Sequence, residues 1–286
     1  MFLMIKIRIF TDFHKPNDKT DNIYSKCTTD DPEYNVKYCF TNENDYTHVL
    51  LINCAKPNIS HIPKENVIGL AFEPLAYMFK LNNIAAYIDY AKQHIGKYYI
   101  GDKHNLPHPF VEGYGYIPSW VNYSKKEKTH FASIMISDKL YAPGNKYRHI
   151  LAKKILETNL PIDIYGRGCK YHQSSDKRIK GCFERSEPYD QYYFHIAIEN
   201  FQSNYYFSEK VLNPIYRNTI PIYIGCQNIV EFLDDSVIKL SGNVDKDMKL
   251  LQTIYENQNK YIKDINFAEI QKKISIKNII NEFLSS

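Results

Sequence analysis

The chain has 286 residues, 44% hydrophobic and 14% aromatic, with 11 glycines and 13 prolines. That length and composition are natural for two globular domains of roughly 100–200 residues each, and they exclude a disordered, collagen-like or linker-rich chain. The 36 basic residues against 32 acidic ones leave a formal net charge of +4, which suits an anionic small ligand and, without a long Lys/Arg run, does not point to nucleic acid.

The opening MFLMIKIRIF is apolar, but Lys6 and Arg8 interrupt it well short of the ~18 apolar residues of a membrane span, and no small-residue cleavage site follows. It reads as a strand with Ile5, Ile7 and Ile9 on one face. HVLLINC and VIGLAF are further strands, followed by a helix in which Ile84, Tyr87, Ile88, Ala91 and Ile95 recur at three- and four-residue intervals, and then by the strand KYYIGD. Residues 116–130, with a proline and a charge run, form the candidate linker. The cycle then restarts: HFASIMIS as strand, YRHILAKKILETN as helix, PIDIYG as strand, and YFHIAIEN and TIPIYIG as two more. Two helical patterns, KDMKLLQTIYENQNKYI and AEIQKKISIKNIINEFL, close the chain. Near-continuous apolar strands alternating with helices predict an α/β fold with parallel sheets covered on both faces.

Six cysteines (Cys27, Cys39, Cys54, Cys169, Cys182 and Cys226) form no CxxC pair and no zinc-like spacing, so free thiols in a reduced compartment are the simplest reading, with a Cys169–Cys182 bridge as the alternative. Sequons at Asn58 and Asn122 are too common by chance to imply secretion.

The chemistry concentrates in AIENFQSNYYFSEKV, residues 197–211. In a parallel sheet, ligands bind at the carboxyl ends of strands, and YFHIAIEN delivers Glu199 and Asn200 to such an edge. Ser208 is a candidate N-cap for a helix starting near Glu209, whose free N–H groups and dipole favour an anion, while Lys210 adds a phosphate-seeking charge. Carboxylates that accept sugar hydroxyls and tyrosines that cover a ring complete a set that fits a sugar nucleotide. The plainer alternative gives each residue a structural use: Glu209 on the helix dipole, Lys210 solvated, the tyrosines in packing. Pro214 inside the predicted helix calls for a kink or a displaced start.

The run FHIAIENFQSNYYFSEKVLNPIYRNTIPIYIG resembles the donor-binding signature of the α1,3-fucosyltransferases, glycosyltransferase family 10, through Ile198-Glu199-Asn200, Tyr206-Phe207-Ser208-Glu209-Lys210 and Pro221-Ile222-Tyr223-Ile224-Gly225. The resemblance implies a GT-B architecture, with two Rossmann-like domains facing across a cleft, and an inverting transfer of fucose from GDP-fucose to a glycan hydroxyl. It places Asn200, Tyr206, Glu209 and Lys210, with Glu199 beside them, on the donor. It also assigns a diphosphate-gripping arginine to Arg148, with Arg167 in reserve; a solvated helical face shared with Lys146, Lys153 and Lys154 is the alternative for Arg148. The implied domains are 1–122 for the acceptor, 123–265 for the nucleotide sugar, and a final helix, 266–286, able to pack back on the first.

Inverting transfer needs a base for the acceptor hydroxyl. VIGLAFEPLAY runs a strand into Glu73-Pro74, resembling the family's Glu-Ser-Pro-like turn, and makes Glu73 the catalytic candidate; His104 and His108 are the alternatives. No metal motif is evident, so a divalent cation is at most an accessory. Two rivals share these residues: the same fold with another nucleotide sugar, and a glycan- or nucleotide-binding protein without turnover. The lack of an anchor points to a bacterial or viral cytoplasmic protein.

Overall fold

In the strand Ile5–Thr11 (β1), Ile7 and Ile9 are buried, while Lys6 and Arg8 turn out to Asp45 and to Asn44. The same alternation builds a six-stranded parallel sheet in the computed structural model, which describes residues 4–13, 38–81, 84–116, 125–172 and 175–285. The described residues divide into two units, one drawn from Met1–Trp120, Ser203–Tyr206 and Lys272–Ser286, the other from Val121–Gln202 and Phe207–Gln271. Cys27, Asn122 and residues 117–124 of the expected linker lie outside the described residues.

In the first unit the further strands are Tyr38–Phe40 (β2), His48–Ile52 (β3), Val67–Leu70 (β4), Lys97–Ile100 (β5) and Phe110–Glu112 (β6), in the order β2-β1-β3-β4-β5-β6. Successive β3 residues face opposite ways. Val49 and Leu51 join a core with Tyr87, Ala91 and Ile95, which come from helix Ile84–His94 and its end; a shorter helix, Leu75–Leu81 (α1), precedes that one (α2). Leu50 and Ile52 join a second core on the other face. Tyr87, Ile88, Ala91 and Ile95 of the expected helical stripe therefore face the sheet.

The second unit has strands His130–Met135 (β7), Ile162–Tyr165 (β8), Ile179–Gly181 (β9), Tyr192–Ile198 (β10), Ile220–Ile224 (β11) and Ile238–Lys239 (β12). They are again all parallel, in the order β12-β11-β10-β7-β8-β9. Its helices include Pro143–Leu156 (α3), Glu209–Tyr216 (α4) and Val244–Glu256 (α5). The two C-terminal helical patterns are each broken. The first stops at Asn257 before a short turn of helix, and the second divides into Phe267–Lys273 (α6) and Ile276–Ser285 (α7). Helix α7 belongs to the first unit, where Ile276, Ile280 and Phe283 complete the second core and Glu282 pairs with Lys97.

Pro214 neither displaces the start of α4 nor ends it. The helix begins at Glu209 and runs to Tyr216, and the Pro214 carbonyl accepts from Arg217 N and Thr219 N, both at 2.9 Å. Cys39, Cys54, Cys169, Cys182 and Cys226 form no disulfide, so the alternative Cys169–Cys182 bridge is not formed. Among the described residues, no helix is long and apolar enough to cross a membrane.

Candidate active site

In the second sheet the strand order reverses direction between β7 and β10, the switch point where open parallel sheets form a crevice at their carboxyl ends. A cavity of about 250 Å³ opens there, lined by Ser137, Arg148, Arg167, His195, Glu209 and Lys210 among others. Another of about 510 Å³ is lined by Lys146, Tyr147, Glu199, Asn200 and Gln202.

Arg148 reaches the first cavity from the buried face of α3, in register with Leu151, Ala152 and Ile155, while Lys146, Lys153 and Lys154 are exposed. The solvated-face alternative therefore does not hold for Arg148. Its Nε donates to the Ile198 carbonyl at 3.0 Å and its Nη2 to Asn200 Oδ1 at 2.8 Å. Both of these acceptors are neutral, and together they aim the guanidinium. Asn145 Nδ2 also donates to Asn200 Oδ1, at 3.3 Å. Helix α3 approaches β10 so closely that a Cβ on Gly144 would lie 1.8 Å from the Glu199 carbonyl oxygen, a distance only glycine tolerates.

Ser208 caps α4 through its side chain, which accepts from Lys210 N. Its own backbone N–H donates to Glu199 Oε1 at 2.8 Å, and its hydroxyl lies 2.9 Å from both Glu199 oxygens. Lys210 Nζ sits 2.9 Å from Glu209 Oε1, 3.0 Å from Ser208 Oγ and 3.5 Å from Glu199 Oε2. Burial opposes the Lys210 charge, but the two carboxylates outweigh it and hold the ammonium above its ordinary value; the nearby Arg148 charge acts against it. Two cations thus converge on one cavity at a helix N-terminus, an arrangement that favours an anion between them. Desolvation at the cavity wall works against the Glu209 charge, and Lys210 outweighs that to keep its carboxyl below the usual range.

The remaining expected residues are more dispersed. Glu199 is buried, with its carboxylate engaged by Ser208 and Lys210, so it frames the loop-to-helix junction from within. Tyr206 is buried and groups with the first unit through Ser203–Tyr206. Arg167 is exposed at the start of the turn Arg167–Tyr171 and pairs with Asp138 at 3.7 Å.

Glu73 lies in the first unit, half-buried, just past β4 and before Pro74 and α1. His104 and His108 are exposed on the loop between β5 and β6. Sequence reading missed Asn53, which is buried with φ +52° and holds the Glu73 turn: its Oδ1 accepts from Phe72 N at 2.8 Å and Glu73 N at 3.3 Å. Its own carbonyl accepts from the Tyr98 hydroxyl at 2.7 Å. Asp12 stands after β1, adjacent to β3 at this sheet's own switch point, and accepts from Cys54 N at 3.2 Å. Burial raises its carboxyl above the ordinary value. A polar residue directly after each apolar strand was the available signal for both. His195 was also missed, because it sits inside an apolar strand. It is buried in the cavity wall with Nδ1 2.8 Å from Ser133 Oγ, and burial pushes its pKa down to about 3.

Residues 125–282 match the family model for glycosyltransferase family 10 (fucosyltransferase), C-terminal part. A fucosyltransferase-like protein of Arabidopsis thaliana is 28% identical over 120 residues, 40% of this chain; the chain spans about a fifth of that relative, 21% of its length. The crystal structure of an α1,3-fucosyltransferase with GDP superposes with a TM-score of 0.57 at 14% identity, covering 98% of this chain and 89% of that one. A DNA-modifying β-glucosyltransferase gives 0.53 at 12% identity, covering 99% and 100%. These superpositions bear on fold alone: two α/β units of the GT-B class. Because the family model covers more than half of its residues, the chain belongs to glycosyltransferase family 10, the fucosyltransferase family.

Proposed function

We propose that the protein is an inverting glycosyltransferase that moves fucose from GDP-fucose to a hydroxyl of a glycan. The observation that carries this reading is the convergence of Arg148, Lys210 and the α4 N-terminus on one cavity at the switch point of the second sheet. An arginine fork can take two phosphate oxygens at once, and an ammonium held protonated by Glu199 and Glu209 keeps its charge as the leaving group gains its own. Family membership and the GDP in the related α1,3-fucosyltransferase support guanine as the base.

In this reading the second unit takes the donor and the first unit the acceptor. The acceptor oxygen forms a bond to the anomeric carbon from the face opposite the phosphate, the bond from that carbon to the phosphate oxygen breaks, and the hydroxyl proton passes to Glu73. GDP leaves as the anion held by Arg148 and Lys210, with a divalent ion no more than an accessory. Asn200 orients Arg148, Glu209 serves the sugar and ribose, and Arg167 stands in reserve for phosphate.

The test is a thermal-shift panel of GDP, UDP, dTDP and CMP with their sugars, followed by Glu73→Gln. A ligand that binds only the folded form raises its stability. A shift with GDP and a larger one with GDP-fucose supports the donor. A Glu73→Gln variant that binds donor and no longer transfers supports the base. A shift with another nucleotide sugar alone overturns fucose, and equal transfer by variant and wild type overturns Glu73.

A further inference from the structure

Beside the first cavity, His149 of α3 and His172, just past the Arg167–Tyr171 turn, face each other. His149 Nδ1 and His172 Nε2 are 3.0 Å apart, and the ring planes lie 6° from parallel. His149 Nε2 is 2.7 Å from the Ser137 carbonyl oxygen. A carbonyl only accepts, so His149 carries a proton on Nε2 and, when neutral, presents a bare Nδ1 to the N–H of His172 Nε2. One extra proton is accommodated on His172 Nδ1 without breaking this bond. A second puts an N–H on both facing nitrogens, and the contact must open.

The pair is also where the turn is fastened. Gly168 N donates to the Ile136 carbonyl at 3.1 Å, and a Cβ on Gly168 would lie 2.6 Å from the Ser137 oxygen and 2.8 Å from His149 Cε1. The turn therefore rests on the His149 ring, and Gly166 and Arg167 at its start line the cavity. The charged groups around the pair are few. On the turn, Arg167 and Lys170 pair with Asp138 at 3.7 and 3.4 Å, and Tyr171 lies edge-on to His149 with its hydroxyl donating to the Asp138 carbonyl at 3.2 Å. On α3, Arg148 faces Ile198, and Lys146 and Lys153 are exposed. These cations outnumber Asp138 around the pair. Burial and His149 together hold the His172 imidazole below its ordinary value.

We propose that the His149–His172 pair is a positioning clamp that fixes the Arg167 turn as a wall of the donor cavity and lets it go when both rings are protonated. The proposal rests on reading that cavity as a nucleotide-diphosphate site. His172→Gln puts an amide donor where Nε2 stood and cannot titrate; His172→Ala removes the contact.

The experiment uses the full chain, with GDP as probe. GDP affinity is measured by calorimetry from about pH 7.5 to about pH 4.5, through the ordinary imidazole range and below it, because His172 is held under its ordinary value. Imidazole and backbone-amide spectra of nitrogen-labelled protein are recorded over the same range. The wild type should lose roughly tenfold more affinity across this range than His172→Gln, and His172→Ala should bind weakly throughout, as expected for a lost part-buried hydrogen bond. The Gly166–Tyr171 amides should move with the same midpoint as the two imidazoles. Matching pH curves for wild type and His172→Gln, or turn amides that ignore the imidazole titration, would overturn the clamp. If GDP binds at no pH, the donor reading falls, and the imidazole and amide spectra still decide whether the pair holds the turn.

Discussion

Arg148 Nη2 donates to Asn200 Oδ1 at 2.8 Å, tying the buried face of α3 to the loop that leaves β10. The two residues are far apart in the chain, yet one fixes the direction of the other's charge. Arg148→Lys loses the fork and should weaken GDP binding by about 2–3 kcal/mol, on the scale of charge-assisted hydrogen bonds. Asn200→Ala leaves the charge and loosens its aim, at a cost of about 1 kcal/mol. Calorimetric titration with GDP checks the order of the two; equal losses would mean that Asn200 does more than orient.

Ser208 and Glu199 should affect stability more than affinity. Ser208→Ala removes the α4 cap, which costs about 1 kcal/mol. Glu199→Ala leaves the buried Ser208 N–H without its acceptor and Lys210 with only Glu209 as its carboxylate, and should cost about 3 kcal/mol. Urea unfolding of the two variants decides this, and a Glu199→Ala protein as stable as Ser208→Ala would contradict the framing role.

His195 gives a pH dependence with a definite sign. Its folded pKa of about 3 lies below the ordinary imidazole value near 6.5, so the unfolded chain binds the extra proton first. The stability from this residue is complete above that ordinary value and falls by about 1.4 kcal/mol per pH unit as pH drops towards the folded value. Unfolding free energies measured in this window should decline more steeply for the wild type than for His195→Gln. Parallel slopes would show that other groups carry the acid sensitivity.

Asn53 should act through Glu73. Asn53→Ala releases the Phe72 and Glu73 N–H groups from their shared acceptor, so kcat should fall about tenfold while the KM for the donor stays unchanged. Steady-state kinetics with donor and acceptor varied separately make the check; a raised donor KM would place Asn53 in a different role.

Helix α7 should contribute to the first unit as a core element. Ile280 is fully buried in the second core, and Ile280→Ala should cost about 2–5 kcal/mol in unfolding. A loss below about 0.5 kcal/mol, the range of surface substitutions, would show that the helix is not docked in solution.

The sequence by itself determined the α/β class and the central strands, because a strand buried on both faces must be apolar nearly throughout, as HVLLI and YYFHIAI are. The edge strands β2, β6, β9 and β12 are two or three residues long and escaped it, since so short a stretch carries no periodicity. The signature around Glu199–Lys210 was legible, and so was the Ser208 cap, because both are local in the chain. Only the tertiary structure decided that Arg148 faces inward among Leu151, Ala152 and Ile155, that Glu199 is closed off by Ser208 and Lys210, and that Asn53 holds the Glu73 turn. Each of these depends on the direction in which a helix or strand presents a side chain to a distant neighbour. The hydrogen bonds that set those directions join residues that no local pattern relates.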